Sequence, residues 1–292
     1  MNETAKELRM SELFFRISLA GLALLMTRAA VAQETISLSR QDQQAVTVTA
    51  YSPKLAGCKG IALVSPGAGG SEKGYQYLGE AMAALGYLTL VVGHRESGRD
   101  ALREHVRGHG LRAGLSELIT DPKAYRGRFM DIAASKAWAA SRCNAPESIL
   151  IGHSMGAATT MMEAGARNKL GVKGADGFSA YIALSPQGAG TIFPRNAWSD
   201  IKRPVLSITG TRDSELGGAS WQTRTEPYQD MPAACKWLAV IEGATHMNFA
   251  GHGVSRRTET LSTQVIADFL EGMHRDDCKP TLQSQGLDLQ SK

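Results

Sequence analysis

Gly152-His153-Ser154-Met155-Gly156 places a serine between glycines two positions away on either side. The run directly follows the apolar stretch Ser148–Ile151 and opens a helical pattern over Met155–Asn168. In that context G-x-S-x-G forms a sharp strand-to-helix turn that exposes the hydroxyl at a sheet edge. Small residues are needed there because backbone and helix pass close by. A serine hydroxyl is not ionised at neutral pH, so nucleophilic attack needs a base. Asp213 closes Gly210-Thr-Arg-Asp213 just after the apolar stretch Val205–Thr209, and His246 closes Gly243-Ala-Thr-His246 just after Leu238–Ile241. All three residues therefore sit at carboxyl ends of strands, the rim where open α/β sheets bind ligands. Ser154 would be the nucleophile and His246 its base. Asp213 would fix the tautomer of His246 and stabilise its imidazolium form.

Rivals exist for two of the three. Glu215 lies two residues from Asp213 and is the fallback acid, whereas Asp200 precedes its strand and belongs to the opposite end. His252, within Gly251-His-Gly253, is the rival base, six residues farther along. His153 reads as packing, and His94, His105, His109 and His274 as ordinary surface or loop contacts. Attack on a carbonyl also needs donors for the oxyanion. The backbone N–H of Met155, at the start of a helix, is one. The N–H of Ala68 is the expected second, in the glycine-rich run Ser65-Pro-Gly-Ala-Gly-Gly70. No pair of cysteines and histidines has metal-ligand spacing, so no metal or other cofactor is expected.

Strands and helices that would carry these groups can be read along the chain. Thr35–Ser39 and Ala45–Tyr51 alternate apolar and polar residues across a polar turn, predicting a β-hairpin. Gly60–Val64, Leu88–Val92, Ser148–Ile151, Tyr181–Leu184, Val205–Thr209 and Leu238–Ile241 are short apolar runs, predicting six more strands. Helical patterns over Ser71–Leu85, Arg128–Ser141, Met155–Asn168 and Thr258–His274 fall between or after them. Short buried strands alternating with helices predict an α/β fold, a mostly parallel sheet covered on both faces. The charged segment 95–125 reads as a loop with one or two short helices and is a candidate lid. The polar tail 279–292 reads as frayed.

The 292 residues are 43% hydrophobic and 21% charged, an ordinary globular composition. The formal charge of +4 is interspersed along the chain, which argues against a nucleic-acid partner. Ile17–Met26 is ten residues long and apolar, too short to span a bilayer comfortably. Followed by Ala30-Val31-Ala32, it reads as a secretory signal peptide over residues 1–32, leaving no stable membrane anchor after cleavage. Residues 33–278 then form a single domain. All four cysteines, Cys58, Cys143, Cys235 and Cys278, lie in that mature part, and their even number fits two disulfides with three possible pairings.

The runs SPGAGG (65–70), VVGHRES (91–97), GHSMGA (152–157), ITGTRD (208–213) and EGATHMNF (242–249) make residues 45–275 resemble the α/β-hydrolase superfamily. The look is nearest to bacterial dienelactone-hydrolase-like and platelet-activating-factor-acetylhydrolase-like esterases. The resemblance implies an eight-stranded, mostly parallel sheet, a Ser-His-Asp triad and metal-free cleavage of a small-molecule ester. It also implies, through the sheet order, the pairings Cys58–Cys143 and Cys235–Cys278. One departure is Pro66-Gly67, where such enzymes usually carry His-Gly in the oxyanion loop.

The expected activity is that of an exported, periplasmic or secreted serine esterase working through an acyl-enzyme. Tyr75, Phe193, Trp198 and Trp221 are candidate pocket-lining aromatics. Lipase, thioesterase or peptidase activity on the same fold is the alternative, as is a non-catalytic binding scaffold. A dinucleotide fold is disfavoured, since Glu72 stands where G-x-G-x-x-G needs its third glycine. Oligomeric state is not legible.

Overall fold

The computed structural model describes residues 33–292 apart from 56, 216 and 252–254. The signal-peptide reading and the rival base His252 lie outside the described residues. In chain order the elements are β1 (Gln33–Ser39), β2 (Ala45–Tyr51), β3 (Gly60–Ser65), α1 (Gln76–Ala84) and β4 (Tyr87–Val92), then α2 (Arg99–His109), α3 (Leu111–Ile119) and α4 (Pro122–Ala140). β5 (Glu147–His153), α5 (Met155–Glu163), β6 (Ala180–Leu184), β7 (Val205–Arg212) and α6 (Glu226–Asp230) follow. β8 (Lys236–Thr245), α7 (Arg256–Gly272) and β9 (Leu287–Ser291) complete the order.

One nine-stranded sheet has the order β1-β2-β4-β3-β5-β6-β7-β8-β9. Its six central strands run parallel, while β1, β2 and β9 pair antiparallel with their neighbours. Every residue of β3 and β4 is buried. That is why these strands read as unbroken apolar runs: a parallel strand covered on both faces has no solvent side to make polar. Successive residues still point to opposite layers. Ile61 and Leu63 join one core cluster, with Tyr125 and Ile132 of α4 and Met161 of α5. Ala62 and Val64 join the other, with Leu78 and Met82 of α1 and Val265 and Phe269 of α7.

Two expectations are corrected. The sheet has nine strands rather than eight, and the extra one comes from the tail expected to fray. Leu287–Ser291 pairs with Trp237–Ile241 of β8. Without it β8 would be a bare edge with unpaired N–H and C=O groups. Leu287 and Leu289 pack against the α7-side core. The segment 95–125 is mostly helical. α2 and α3 join at Gly110 (φ 77°), and a Cβ at Gly114 would lie 2.6 Å from the His105 carbonyl, so the two helices touch there. The structure joins Cys58 to Cys143 and Cys235 to Cys278, the pairings that the resemblance implied.

Candidate active site

Ser154 follows β5 with φ 55° and ψ −118°, a backbone state that L-residues rarely adopt. The glycines around it are explained by contact. A Cβ on Gly152 would sit 2.1 Å from the Gly156 carbonyl oxygen, and one on Gly156 would sit 1.9 Å from that of Ser65. The elbow is thus pressed against the end of β3, and only glycine fits at both positions. Strain there is held by the buried strands on either side.

Ser154, His246 and Asp213 meet in a hydrogen-bonded line. His246 Nε2 lies 2.9 Å from Ser154 Oγ, and His246 Nδ1 lies 2.9 Å from Asp213 Oδ1. Asp213 is fully buried, and its other oxygen accepts from Thr209 Oγ1 at 2.9 Å. A carboxylate accepting at Nδ1 assigns the proton to that nitrogen and leaves Nε2 to accept from the Ser154 hydroxyl. The rival acids are engaged elsewhere. Glu215 accepts from Gly188 N and Thr223 Oγ1, while Asp200 faces Arg167 at 3.7 Å on the surface.

Arg224, which the sequence does not single out, and His153 and Tyr75, read there as packing and as a pocket aromatic, brace these three residues. Arg224, buried on a 3-10 turn, donates through Nε to the Asp213 carbonyl at 2.6 Å and lies 2.9 Å from Asp213 Oδ1. Its remaining nitrogens reach the carbonyls of Ser185, Pro186 and Ser214. One guanidinium therefore ties the acid to the loop after β6. His153, the variable residue of the elbow, lies 3.1 Å through Nε2 from the His246 carbonyl oxygen and 2.8 Å through Nδ1 from the Tyr75 hydroxyl. Donation from Nε2 leaves Nδ1 to accept from Tyr75. That hydroxyl in turn accepts from Gly67 N at 3.0 Å. Tyr75 is thus a buried brace rather than an open pocket wall, and burial raises its hydroxyl to about 12, keeping it protonated.

The loop 65–70 approaches Ser154 closely. A Cβ at Gly67 would lie 3.3 Å from Ser154 Cβ. Gly67 N–H is spent on Tyr75, and Gly69 N–H donates to the Ser97 carbonyl at 2.8 Å. Gly70 N–H donates to the Gly67 carbonyl at 3.0 Å. Ala68 N–H has no hydrogen-bond partner among the described residues. Met155 N–H belongs to the first turn of α5, whose donors have no intrahelical acceptor. Leu102 of α2 presses on this loop, 2.5 Å from where a Gly69 Cβ would be.

Other expected pocket residues fall differently. Phe193 and Trp198 are buried in the core with ring centroids 5.1 Å apart, so neither faces an open surface. Trp221 is half-buried at the start of the 3-10 turn that carries Arg224. Exposed Met247 stands beside His246. His94 is not a surface residue but is buried, between Asp131 and Ser65. Burial, then the Arg128 and Arg40 guanidiniums, hold its imidazole well below the usual range and therefore neutral. Burial also pushes Asp131 up to about 7, against the pull of Arg40, and Arg128 down to about 10, which leaves Arg128 charged at neutral pH.

Among solved structures, the chain superposes on a candidate dienelactone hydrolase from Klebsiella pneumoniae with TM-score 0.60 and 17% identity, covering 82% of this chain and 97% of that one. An esterase from Pyrococcus furiosus, Pf2001, gives 0.56 and 15%, covering 82% and 92%. Est1E from Butyrivibrio proteoclasticus gives 0.56 and 15%, covering 82% and 98%. The chain has the α/β-hydrolase fold. In sequence, the chain is 26% identical over 200 residues to cutinase est2 of Thermobifida alba and to cutinase 2 of Thermobifida cellulosilytica. The match covers 68% of this chain and 56% and 64% of those two. No protein-family model matches the chain.

Proposed function

We propose that the protein is an exported serine hydrolase that cleaves carboxylic esters of small or medium size. The observation that carries the reading is His246 Nε2 at 2.9 Å from Ser154 Oγ, with buried Asp213 at 2.9 Å on the far side of the ring. Relatives named cutinases and neighbours named esterases support the ester as substrate. Ser154 Oγ attacks the ester carbonyl carbon while its proton passes to His246 Nε2. The carbonyl oxygen becomes an oxyanion facing the N–H groups of Met155 and Ala68. The C–O bond to the alcohol breaks, and the alcohol leaves with the proton from His246. Water then repeats the sequence on the acyl-enzyme, with His246 again the base, releasing the acid and restoring Ser154. Asp213 stabilises the imidazolium at both stages, and Arg224 holds Asp213. The α2–α3 pair, pressed on the oxyanion loop through Leu102, forms one wall of the substrate site. Two disulfides fit an oxidising compartment, which supports export.

A fluorophosphonate probe and a chain-length series of p-nitrophenyl esters test this on the mature protein. Labelling at Ser154, lost in Ser154→Ala, together with turnover of the shorter esters, is expected. Absence of both labelling and turnover would leave a binding scaffold on the same fold.

A further inference from the structure

A second serine–histidine–aspartate line runs through the molecule, sealed from solvent. Ser65 ends β3, His94 follows β4 and Asp131 lies on α4. His94 Nε2 is 2.8 Å from Ser65 Oγ, and His94 Nδ1 is 2.9 Å from Asp131 Oδ2. The order of atoms matches the Ser154 line, but the surroundings differ. Ser65 is wholly buried, and its oxygen already accepts from Arg128 Nη1 at 3.1 Å. Asp131 also accepts from Arg40 Nη1 at 3.1 Å. With Nδ1–H given to Asp131, His94 Nε2 accepts the Ser65 hydroxyl proton, and the Ser65 lone pair accepts from Arg128. With Asp131 ionised every proton has one place, and no face of Ser65 is open to a substrate.

The end point of this line is Arg128, which reaches the loop carrying Ala68. Its Nη1 donates to the Pro66 carbonyl at 2.8 Å, and its Nε donates to Ser97 Oγ at 2.8 Å. No described peptide bond is cis, and a trans peptide points its C=O and N–H to opposite sides. The Pro66 carbonyl faces Arg128, so Gly67 N–H faces away from it, where the Tyr75 hydroxyl accepts at 3.0 Å. In the next peptide, the Gly67 carbonyl faces Gly70 N at 3.0 Å, with Arg128 Nη2 at 3.5 Å. Ala68 N–H therefore points the other way and stays unspent. Proline at 66 has no N–H of its own, so at that residue the carbonyl is the only backbone handle.

We propose that Arg128 is a positioning residue for the oxyanion site. Its grip on the Pro66 carbonyl sets the two peptide planes that aim Ala68 N–H, and Ser65, His94 and Asp131 keep the guanidinium in register. This rests on the reading of Ser154 as nucleophile. A buried guanidinium is costly unless fully paired, and here its partners are mostly the oxyanion loop and its neighbours.

The test uses the full chain with Arg128→Met, Arg128→Lys and Ser65→Ala, all scaled to active sites counted by phosphonate titration. Loss of one oxyanion donor lowers kcat by roughly 100-fold or more, so Arg128→Met is expected to lose about 100-fold in kcat with KM changed less than about threefold. Arg128→Lys should recover part of the loss, and Ser65→Ala should lose several-fold. Affinity for a trifluoromethyl ketone, whose serine adduct carries an oxyanion, should fall in step with kcat/KM. Affinity for the product acid should not move. A purely structural role predicts fewer titratable sites with unchanged kcat per site, or equal losses for ketone and acid; either result overturns the proposal. Should Arg128→Met fail to fold, unchanged kcat and ketone affinity in Ser65→Ala overturn it instead. An inert, unlabelled wild type removes the esterase reading itself, whereas active wild type with equally active variants removes only this inference.

Discussion

Two serines in this molecule face an imidazole backed by a carboxylate, and their surroundings divide them. Ser154 sits in a strained turn at the rim, partnered by a histidine whose side chain is 31% exposed. Ser65 sits in regular strand, wholly buried, with a guanidinium on its oxygen. The same three residue types thus make a site open to a reactant in one place and a closed scaffold in the other. Access and a free lone pair separate the proposed nucleophile from the strut, not the hydrogen-bonded line itself. The two lines are adjacent, because Gly156 of the elbow packs on the Ser65 carbonyl.

Replacing each serine gives the widest separation. Ser154→Ala should lose about 10⁴-fold or more in kcat, the size seen when a triad nucleophile is removed, with little change in thermal stability. Ser65→Ala should lose only several-fold. Comparable losses from the two, measured on p-nitrophenyl acetate, would erase the distinction between nucleophile and strut.

Arg224 is to Asp213 what Arg40 is to Asp131: a buried guanidinium beside the carboxylate of a line. Arg224→Met would leave Asp213 Oδ1 short of a partner and three loop carbonyls unpaired. Breaking such a buried pair costs about 3 to 5 kcal/mol, read as a lower urea midpoint, and kcat should fall with it. An unchanged midpoint would mean that the guanidinium contributes nothing net to holding the acid.

The two lines were unequally legible in the sequence. The Ser154 line announces itself because each member follows an apolar strand, and because glycines mark the close approach of elbow to β3. Asp131 and Arg128 gave no such signal. They lie three apart on a helix, where charged residues ordinarily face water, and only the fold reveals that this face turns inward against Ser65 and Ser97. His94 lies in the run VVGHRES, but nothing in that run shows that its ring turns inward between Asp131 and Ser65. Arg224 sits on a short 3-10 turn whose docking on Asp213 depends on long-range packing. β9 was missed because two leucines among polar residues are a weak strand signal, and pairing with β8 supplies the rest. Phe193 and Trp198 were read as pocket walls because aromatics serve core and pocket alike, and sequence carries no burial.

Both serines ride on strands that start beside the Cys58–Cys143 bridge, since β3 follows Cys58 and β5 follows Cys143. That bridge closes 85 residues, so chain entropy alone assigns it about 4 to 5 kcal/mol. The double substitution Cys58→Ser with Cys143→Ser should lower the urea midpoint by that order. Activity per folded molecule should be kept, because the bridge lies at the strand ends opposite the rim. A drop in kcat per titrated site would show that the bridge also tunes the lines.

The smallest expected effect is a slope with pH, and it belongs to the closed line. His94 is held neutral by burial and by Arg128 and Arg40, so the folded chain resists a proton that the unfolded chain accepts near the ordinary histidine value of about 6.5. Above that value the contribution of His94 to stability is fully present. As pH falls below it, the unfolded state binds the extra proton and the contribution drains away toward the depressed folded value. Asp131 acts with the opposite sign. Burial raises its carboxyl to about 7, so the folded state gains affinity for a proton there as pH falls, and wild type reports the sum. Asparagine keeps an N–H donor for Asp131 Oδ2, so the difference between wild type and His94→Asn reports chiefly the histidine. Urea unfolding of the two from pH 7.5 to 5 should show the advantage of wild type shrinking below about 6.5, with a slope approaching one proton. A constant difference across that range would mean that His94 is solvated well enough to titrate normally, and the closed line would then be open.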